Sequence, residues 1–329
     1  RCPVVLHEQN AVPGLANRTF ARPARVVALA FAEARRALPR RARTVLTGNP
    51  VRTDILAVAA DRERLAKEAR TEFDLDEGRK TVVVFGGSQG ALHVNRAIAE
   101  TMRTLDRSDL QVLLLAGPAH VETVRASLPS SGSVAIRVLG FLERMELAYA
   151  VADVVIARAG ATTVAEIAVC GLPSLLIPYP YATGGHQEAN ARALQRAGAA
   201  TMLLDDEVDG GVLTDRIAWL LADDDRLRSM GDRARAWARP DAASSLARAV
   251  VEAGEQRLIG HHLIRPDPGQ HPEFVGVLLH DHVLVQQVDV VVGQRLDAGL
   301  QRGDPADQLG GLVGAAKFML HHGPPLTVS

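Results

Sequence analysis

TVVVFGGSQGALHVNRAI, residues 81–98, is the stretch on which the fold turns. A β-branched, apolar run breaks at Gly86-Gly87-Ser88-Gln89-Gly90, and a helix-like segment follows. Glycines let a backbone approach a ligand closely. The free N–H groups of a first helical turn, with the positive end of the helix dipole, favour an anion, typically a phosphate. On the glycine loop alone, a tight strand-to-helix turn without a ligand stands beside that reading.

The same alternation fills residues 80–205. Short apolar runs (LQVLLL at 110–115, VAIRVL at 134–139, ADVVIA at 152–157, SLLI at 174–177, ATMLL at 200–204) alternate with helix-like segments at Ala91–Leu105, Thr162–Cys170 and Gln187–Ala197. Nearly continuous apolar strands alternating with helices predict a parallel sheet covered on both faces. Further helices are expected at Leu213–Ala222, Arg226–Ala238 and Ala242–Ala253. Residues 1–52 carry three strand candidates, PVVL, RVVALAF and TVLTG, with one helix near Leu15–Arg22. GNPVRTDI then leads into a second unit through a charged helix near Asp61–Arg70.

Composition narrows the function classes. Across 329 residues, 47% are apolar and 23% charged, which is globular, and the net charge of −1 offers nothing to nucleic acid or an anionic surface. Two cysteines, Cys2 and Cys170, are too few for a disulfide framework. No apolar run approaches the roughly 20 residues of a membrane span. Nicotinamide binding is disfavoured: the loop reads G-G-S-Q-G, and the next strand ends LLLAGPAH without a ribose-binding acid. A P-loop is excluded because no Gly-Lys-Ser/Thr follows.

Two more loops carry chemistry. In ARAGATTVAEI, Glu166 falls in the first turns of a helix, where its carboxylate can accept from two adjacent hydroxyls of a ribose. The alternative is a capping box, Thr163-x-x-Glu166, in which the carboxylate returns to the backbone. In PYPYATGGHQEANA, His186 and Gln187 share a helix face with Asn190, a set suited to neutral hydroxyl-rich ligands such as sugars, or equally to a solvated helix start. Loops at the C-terminal ends of neighbouring parallel strands converge on one crevice. Arg52, in GNPVR, adds a cation beside a diphosphate or is a surface arginine of the connection.

Taken in order, HEQN–PGLANR, GNPVR, GGSQGA, ARAGATTVAEI–GLP and GGHQEANA resemble the MurG-type glycosyltransferases of peptidoglycan synthesis, over about residues 3–253. The resemblance implies an α/β fold of the GT-B type: two Rossmann-like domains facing each other across a cleft, the C-terminal one complete here and the N-terminal one partial. Residues 1–52 are expected to close the acceptor domain, 53–255 to form the donor domain, and 256–329 to be an unassigned tail. It implies inverting transfer of N-acetylglucosamine from UDP-N-acetylglucosamine to lipid I, forming lipid II, at the cytoplasmic face of the membrane. No cofactor is implied beyond the donor substrate, with divalent-cation dependence left open, and no nucleic-acid partner.

The resemblance also implies residue roles. Asn10 contacts the sugar nucleotide. Arg52 and Ser88 hold the diphosphate. Leu142 presents its backbone to uracil, with Phe141 and Met145 lining that pocket. Ala161, Thr162, Thr163, Val164 and Ala165 form the loop and helix start that lead to Glu166, on the ribose. Gln187 and Asn190 read the sugar hydroxyls, with His186 nearby. The family's N-terminal glycine-rich loops and catalytic histidine are expected before Arg1, so this chain is expected to keep donor binding and to lack the catalytic base. His7 and Glu8 are not assigned that role. A UDP-sugar epimerase and a UDP-sugar-binding module without turnover are the alternatives.

The tail holds most of the eleven histidines and many Gly and Pro residues. VGVLLHDHVLVQQVDVVVG reads as an appended β segment or as an out-of-frame translation, and the missing helix and turn grammar favours the second. The pairs His261-His262 and His321-His322 lack ligand spacing, so no metal site is expected.

Overall fold

A computed structural model describes residues 3–87, 91–261 and 276–279. The chain builds two parallel sheets. The first joins β1 (Val4–Glu8), β2 (Val26–Leu29) and β3 (Thr44–Leu46), and a short later strand, Gly276–Leu279, pairs parallel with β1 on the outer edge. The second has six strands: β4 (Lys80–Phe85), β5 (Leu110–Leu115), β6 (Ala135–Leu139), β7 (Val154–Ala157), β8 (Ser174–Leu176) and β9 (Ala200–Met202). Their spatial order is β6-β5-β4-β7-β8-β9.

That order places the site. The chain winds outward from β4 through β5 to β6, then returns to the other side of β4 with β7. The winding direction therefore reverses between β4 and β7, and ligands of open α/β sheets bind in the crevice at the carboxyl ends of such a pair. The Gly86 loop leaves β4 there and the Arg158–Gly160 loop leaves β7 beside it.

Side-chain alternation fixes the layers. Val82 and Val84 face one core with Val94, Ile98 and Met102 of α3 (Leu92–Thr104) and Leu213, Ile217 and Leu220 of a later helix, Gly210–Leu221. Val83 and Phe85 face the other, with Ile55, Leu65 and Phe73 of α2 (Thr53–Phe73), Leu147 and Tyr149 of α5 (Met145–Val151), and Ile167 of α6 (Ala161–Cys170). A strand buried on both faces favours apolar residues throughout, which is why β4 and β5 read as nearly continuous apolar runs, their buried polar residues Thr81 and Gln111 bonded to each other. The remaining α-helices among the described residues are α1 (Leu15–Phe20), α4 (Val121–Ser127), α7 (His186–Arg196), Asp224–Trp237 and Ala242–His261, the last returning to pack on β1 and β2.

Several boundaries differ from the sequence expectation. The charged helix expected at 61–70 runs from Thr53 to Phe73, with a break at Asp61, so Arg52 is its N-cap residue rather than part of a loose linker. The apolar residues of its first turns, Ile55 and Val58, are fully buried and carry it back to the connection. The helix after Leu15 ends at Phe20, and the helix beginning at Ala242 extends past Ala253 to His261. Helices α4 and α5 are short and were not marked by the sequence pattern. Apart from the strand at 276–279, the tail after His261 lies outside the described residues.

Candidate functional site

The start of α6 is an uncapped helix N-terminus. Gly160 is the N-cap, in extended conformation, and no side chain caps the helix. The first intrahelical bond runs from the Val164 N–H to the Gly160 carbonyl, 2.9 Å. Among the described residues, the N–H groups of Ala161, Thr162 and Thr163 therefore have no protein acceptor. The helix starts before Thr163, so Glu166 is its sixth residue and the capping-box geometry does not arise.

Glu166 instead accepts a hydrogen bond at Oε2 from the Tyr149 hydroxyl, 2.8 Å. Burial pushes its carboxyl above the ordinary range, while the Tyr149 bond and the positive charge of Arg52 pull the other way. Arg52 is half exposed and pairs with Asp54 at 3.1 Å. Its charge reaches both Glu166 and Tyr149, so GNPVR and ARAGATTVAEI meet at one place.

Beside them, the glycine loop leaves β4. Gly86 packs so closely on the helix start that a Cβ there would lie 2.5 Å from the Ala91 amide nitrogen. Gly87 has φ +90°, a left-handed value that favours glycine. Ser88 lies outside the described residues. Leu142, between β6 and α5, and Met145, the first residue of α5, are partly buried against the core, and Phe141 is 63% exposed.

Gln187 and Asn190 divide their work. The Gln187 Oε1 accepts from the backbone N–H of Tyr179 (2.9 Å) and of Ala159 (3.2 Å). Two backbone donors fix which end of the amide is which, and its NH₂ group has no protein partner among the described residues. Asn190 is fully buried. Its Oδ1 accepts from the Ala11 N–H at 2.8 Å, and its Nδ2 donates to Asn10 Oδ1 (3.0 Å) and to the Ala159 carbonyl (3.2 Å). Asn10 and Asn190 are thus brought together, and the first is spent on the second. His186 is the partly buried first residue of α7.

The stretch HEQN–PGLAN closes on a buried carboxylate. Glu8 accepts from the Asn10 N–H (2.9 Å), the Gly14 N–H (3.0 Å) and Asn17 Nδ2 (2.8 Å). His7 is fully buried, with Nε2 3.2 Å from the Gly48 carbonyl, and burial lowers its pKa. Neither group reaches the surface.

Two features went unread in the sequence. Tyr149 looks like any apolar helix residue. Arg158 looks like a loop arginine, yet its Nη1 donates to the carbonyls of Ile177 (3.2 Å) and Pro178 (3.1 Å) and to Asp205, and its guanidinium lies 5.5 Å from the Tyr179 ring centre. Asp205 in turn meets His93 Nδ1 at 3.1 Å. An arginine directly after a four-residue apolar strand was the available signal. Among the described residues no three His, Cys, Asp or Glu groups gather to hold a metal, and no helix is long and apolar enough to cross a membrane.

Comparisons with known proteins bear on the fold and the family. Residues 81–246 match the glycosyltransferase family 28 C-terminal domain. A UDP-N-acetylglucosamine–N-acetylmuramyl-(pentapeptide) pyrophosphoryl-undecaprenol N-acetylglucosamine transferase of Halothermothrix orenii is 40% identical over 263 residues, covering 78% of this chain and 69% of its own. The crystal structure of Acinetobacter baumannii MurG superposes with a TM-score of 0.63 at 31% identity, covering 76% of this chain and 67% of that one. A UDP-GlcNAc 2-epimerase from Neisseria meningitidis, bound to UDP-GlcNAc, shares the fold at a TM-score of 0.54 and 13% identity, over 76% of this chain and 69% of that one.

Proposed function

We propose residue roles from one premise: the chain belongs to the family of MurG-type UDP-N-acetylglucosamine–N-acetylmuramyl-(pentapeptide) pyrophosphoryl-undecaprenol N-acetylglucosamine transferases. The reaction moves N-acetylglucosamine from UDP-N-acetylglucosamine to lipid I, giving lipid II. In the inverting form, an acceptor hydroxyl oxygen bonds to C1 of the sugar as the bond from C1 to the diphosphate breaks. The hydroxyl proton goes to a general base, and UDP leaves.

One observation carries the donor reading: a single helix, α6, offers three free N–H groups at its start and a carboxylate on its second turn. The N–H groups suit a diphosphate and the carboxylate suits vicinal ribose hydroxyls. The α6 dipole, the glycine loop with Ser88, and Arg52 stabilise the charge that grows on the departing diphosphate. Leu142 meets uracil through its backbone, with Met145 and Phe141 beside it. The free NH₂ of Gln187 donates to a hydroxyl of N-acetylglucosamine. Asn190 and Asn10 act by holding the loops that carry the sugar site.

The burial of His7 and Glu8 supports leaving both out of proton transfer. It also weighs against an epimerase, which needs acid–base carboxylates and histidines open to the cleft. Because the acceptor carries an undecaprenyl chain and the donor is a soluble nucleotide, the enzyme works as a peripheral protein at the cytoplasmic membrane face. Calorimetric titration with UDP-N-acetylglucosamine, followed by transfer of labelled sugar to lipid I, tests the reading. Donor binding that Gln187→Ala weakens supports it. Absence of donor binding overturns it.

A further inference from the structure

Tyr149 is the largest fully buried side chain of the described residues, and its one polar atom is spent on a single partner. That partner is Glu166. A buried hydroxyl without an acceptor is destabilising, so the bond is compelled once the ring is buried. The ring is itself held. It packs edge-on against Phe85, with centroids 5.9 Å apart and planes at 82°, and Phe85 is the last residue of β4, directly before Gly86-Gly87. One rigid side chain therefore touches both the ribose carboxylate and the strand end that launches the phosphate loop.

A glutamate on a helix surface has three rotatable bonds and samples many carboxylate orientations. Here the Tyr149 O–H fixes Oε2, which sets the plane of the carboxylate and leaves Oε1 without a protein partner among the described residues. Burial and the nearby Glu166 charge hold the phenol pKa well above its ordinary value, so Tyr149 stays a donor throughout the working pH range.

We propose that Tyr149 is the positioning residue that makes Glu166 selective for a sugar with two adjacent hydroxyls, discriminating UDP from its 2′-deoxy counterpart. This rests on the assignment of Glu166 to the ribose. A pinned carboxylate presents both acceptor directions to a vicinal diol, and each lost hydrogen bond in a pre-formed polar site counts heavily in discrimination. A free carboxylate adapts to either sugar and discriminates less.

Tyr149→Phe removes the hydroxyl and keeps the ring against Phe85. Calorimetric titration of the full chain with UDP and with 2′-deoxy-UDP, for wild type, Tyr149→Phe, Glu166→Ala and the double variant, reads the effect. The expected result is a roughly tenfold loss of UDP affinity in Tyr149→Phe, equivalent to about 1.4 kcal/mol, with 2′-deoxy-UDP affinity within about twofold of wild type. The double variant should match Glu166→Ala alone, since the tyrosine acts only through the glutamate. A Tyr149→Phe protein that keeps the wild-type UDP preference while Glu166→Ala loses it overturns the inference. So does a variant that weakens both nucleotides equally, which is what a purely structural role gives. If Glu166→Ala itself keeps the preference, the ribose assignment of Glu166 fails and the inference falls with it.

Discussion

The Asn190 amide donates to the Asn10 side-chain oxygen at 3.0 Å, joining two motifs 180 residues apart. The same residue accepts from the Ala11 N–H and donates to the Ala159 carbonyl, so the first sheet, the β7–α6 loop and α7 are fastened at one buried amide. Asn190→Ala strands the Ala11 N–H and the Ala159 carbonyl without water access. A loss of about 1–3 kcal/mol is expected in urea unfolding for each group left unpaired. Asn190→Asp should not rescue, because the carboxylate keeps the acceptor and loses both donors. Wild-type stability in Asn190→Ala would show that the contact is incidental.

Gly86, directly after β4, has no room for a side chain. A Cβ there meets the Ala91 backbone, which cannot swing aside as a flexible side chain does. Gly86→Ala is expected to destabilise the chain by about 1–3 kcal/mol and to abolish measurable UDP binding. Calorimetry and denaturant melts on the same sample check both effects.

Stability should depend on pH through Glu166. Its folded-state pKa is raised above the unfolded value of 4.5, chiefly by burial. Below 4.5 both states hold the proton and the group makes no demand on the fold. As pH rises through the raised folded value, an ionised carboxylate must stay buried and stability falls. Glu166→Gln removes that loss. The variant should be more stable than wild type at neutral pH, with the gap closing as pH falls below 4.5, while UDP affinity drops. Parallel curves at all pH values would contradict the assignment of burial as the dominant cause.

Arg158 and Asp205 form an ion pair with side-chain exposures of 11% and 16%. Removing either partner leaves a nearly buried charge, so Arg158→Ala should cost about 3 kcal/mol. Arg158→Ala with Asp205→Ala should cost less than the sum of the single variants, because the second removes the stranded charge. An additive double variant would show that the pair is not coupled.

Much of this was readable from the chain. Nearly continuous apolar runs at 81–85 and 110–115 point to a sheet covered on both faces, and the glycines after Phe85 point to a close turn. The expected parallel sheet follows from those two facts. What did not read out was the direction in which polar groups are spent. Asn190 and Gln187 lie three apart on one helix, yet one is buried and consumed while the other keeps a free NH₂ group. Spacing fixes a helix face but not what covers it. Glu166 likewise fitted a capping box slightly better than a ribose contact on spacing, and only the start of α6 at Ala161 removes the cap. Tyr149 gave no signal, because its partner comes from a different helix, 17 residues on.

The central claim is that α6 binds the donor nucleotide, with its free N–H groups on the diphosphate and Glu166 on the ribose. Titration of the wild-type chain and Glu166→Ala with UDP-N-acetylglucosamine tests it most directly. The account expects saturable binding by wild type and a loss of at least about tenfold in the variant, roughly 1.4 kcal/mol. Equal affinities for the two proteins would contradict it.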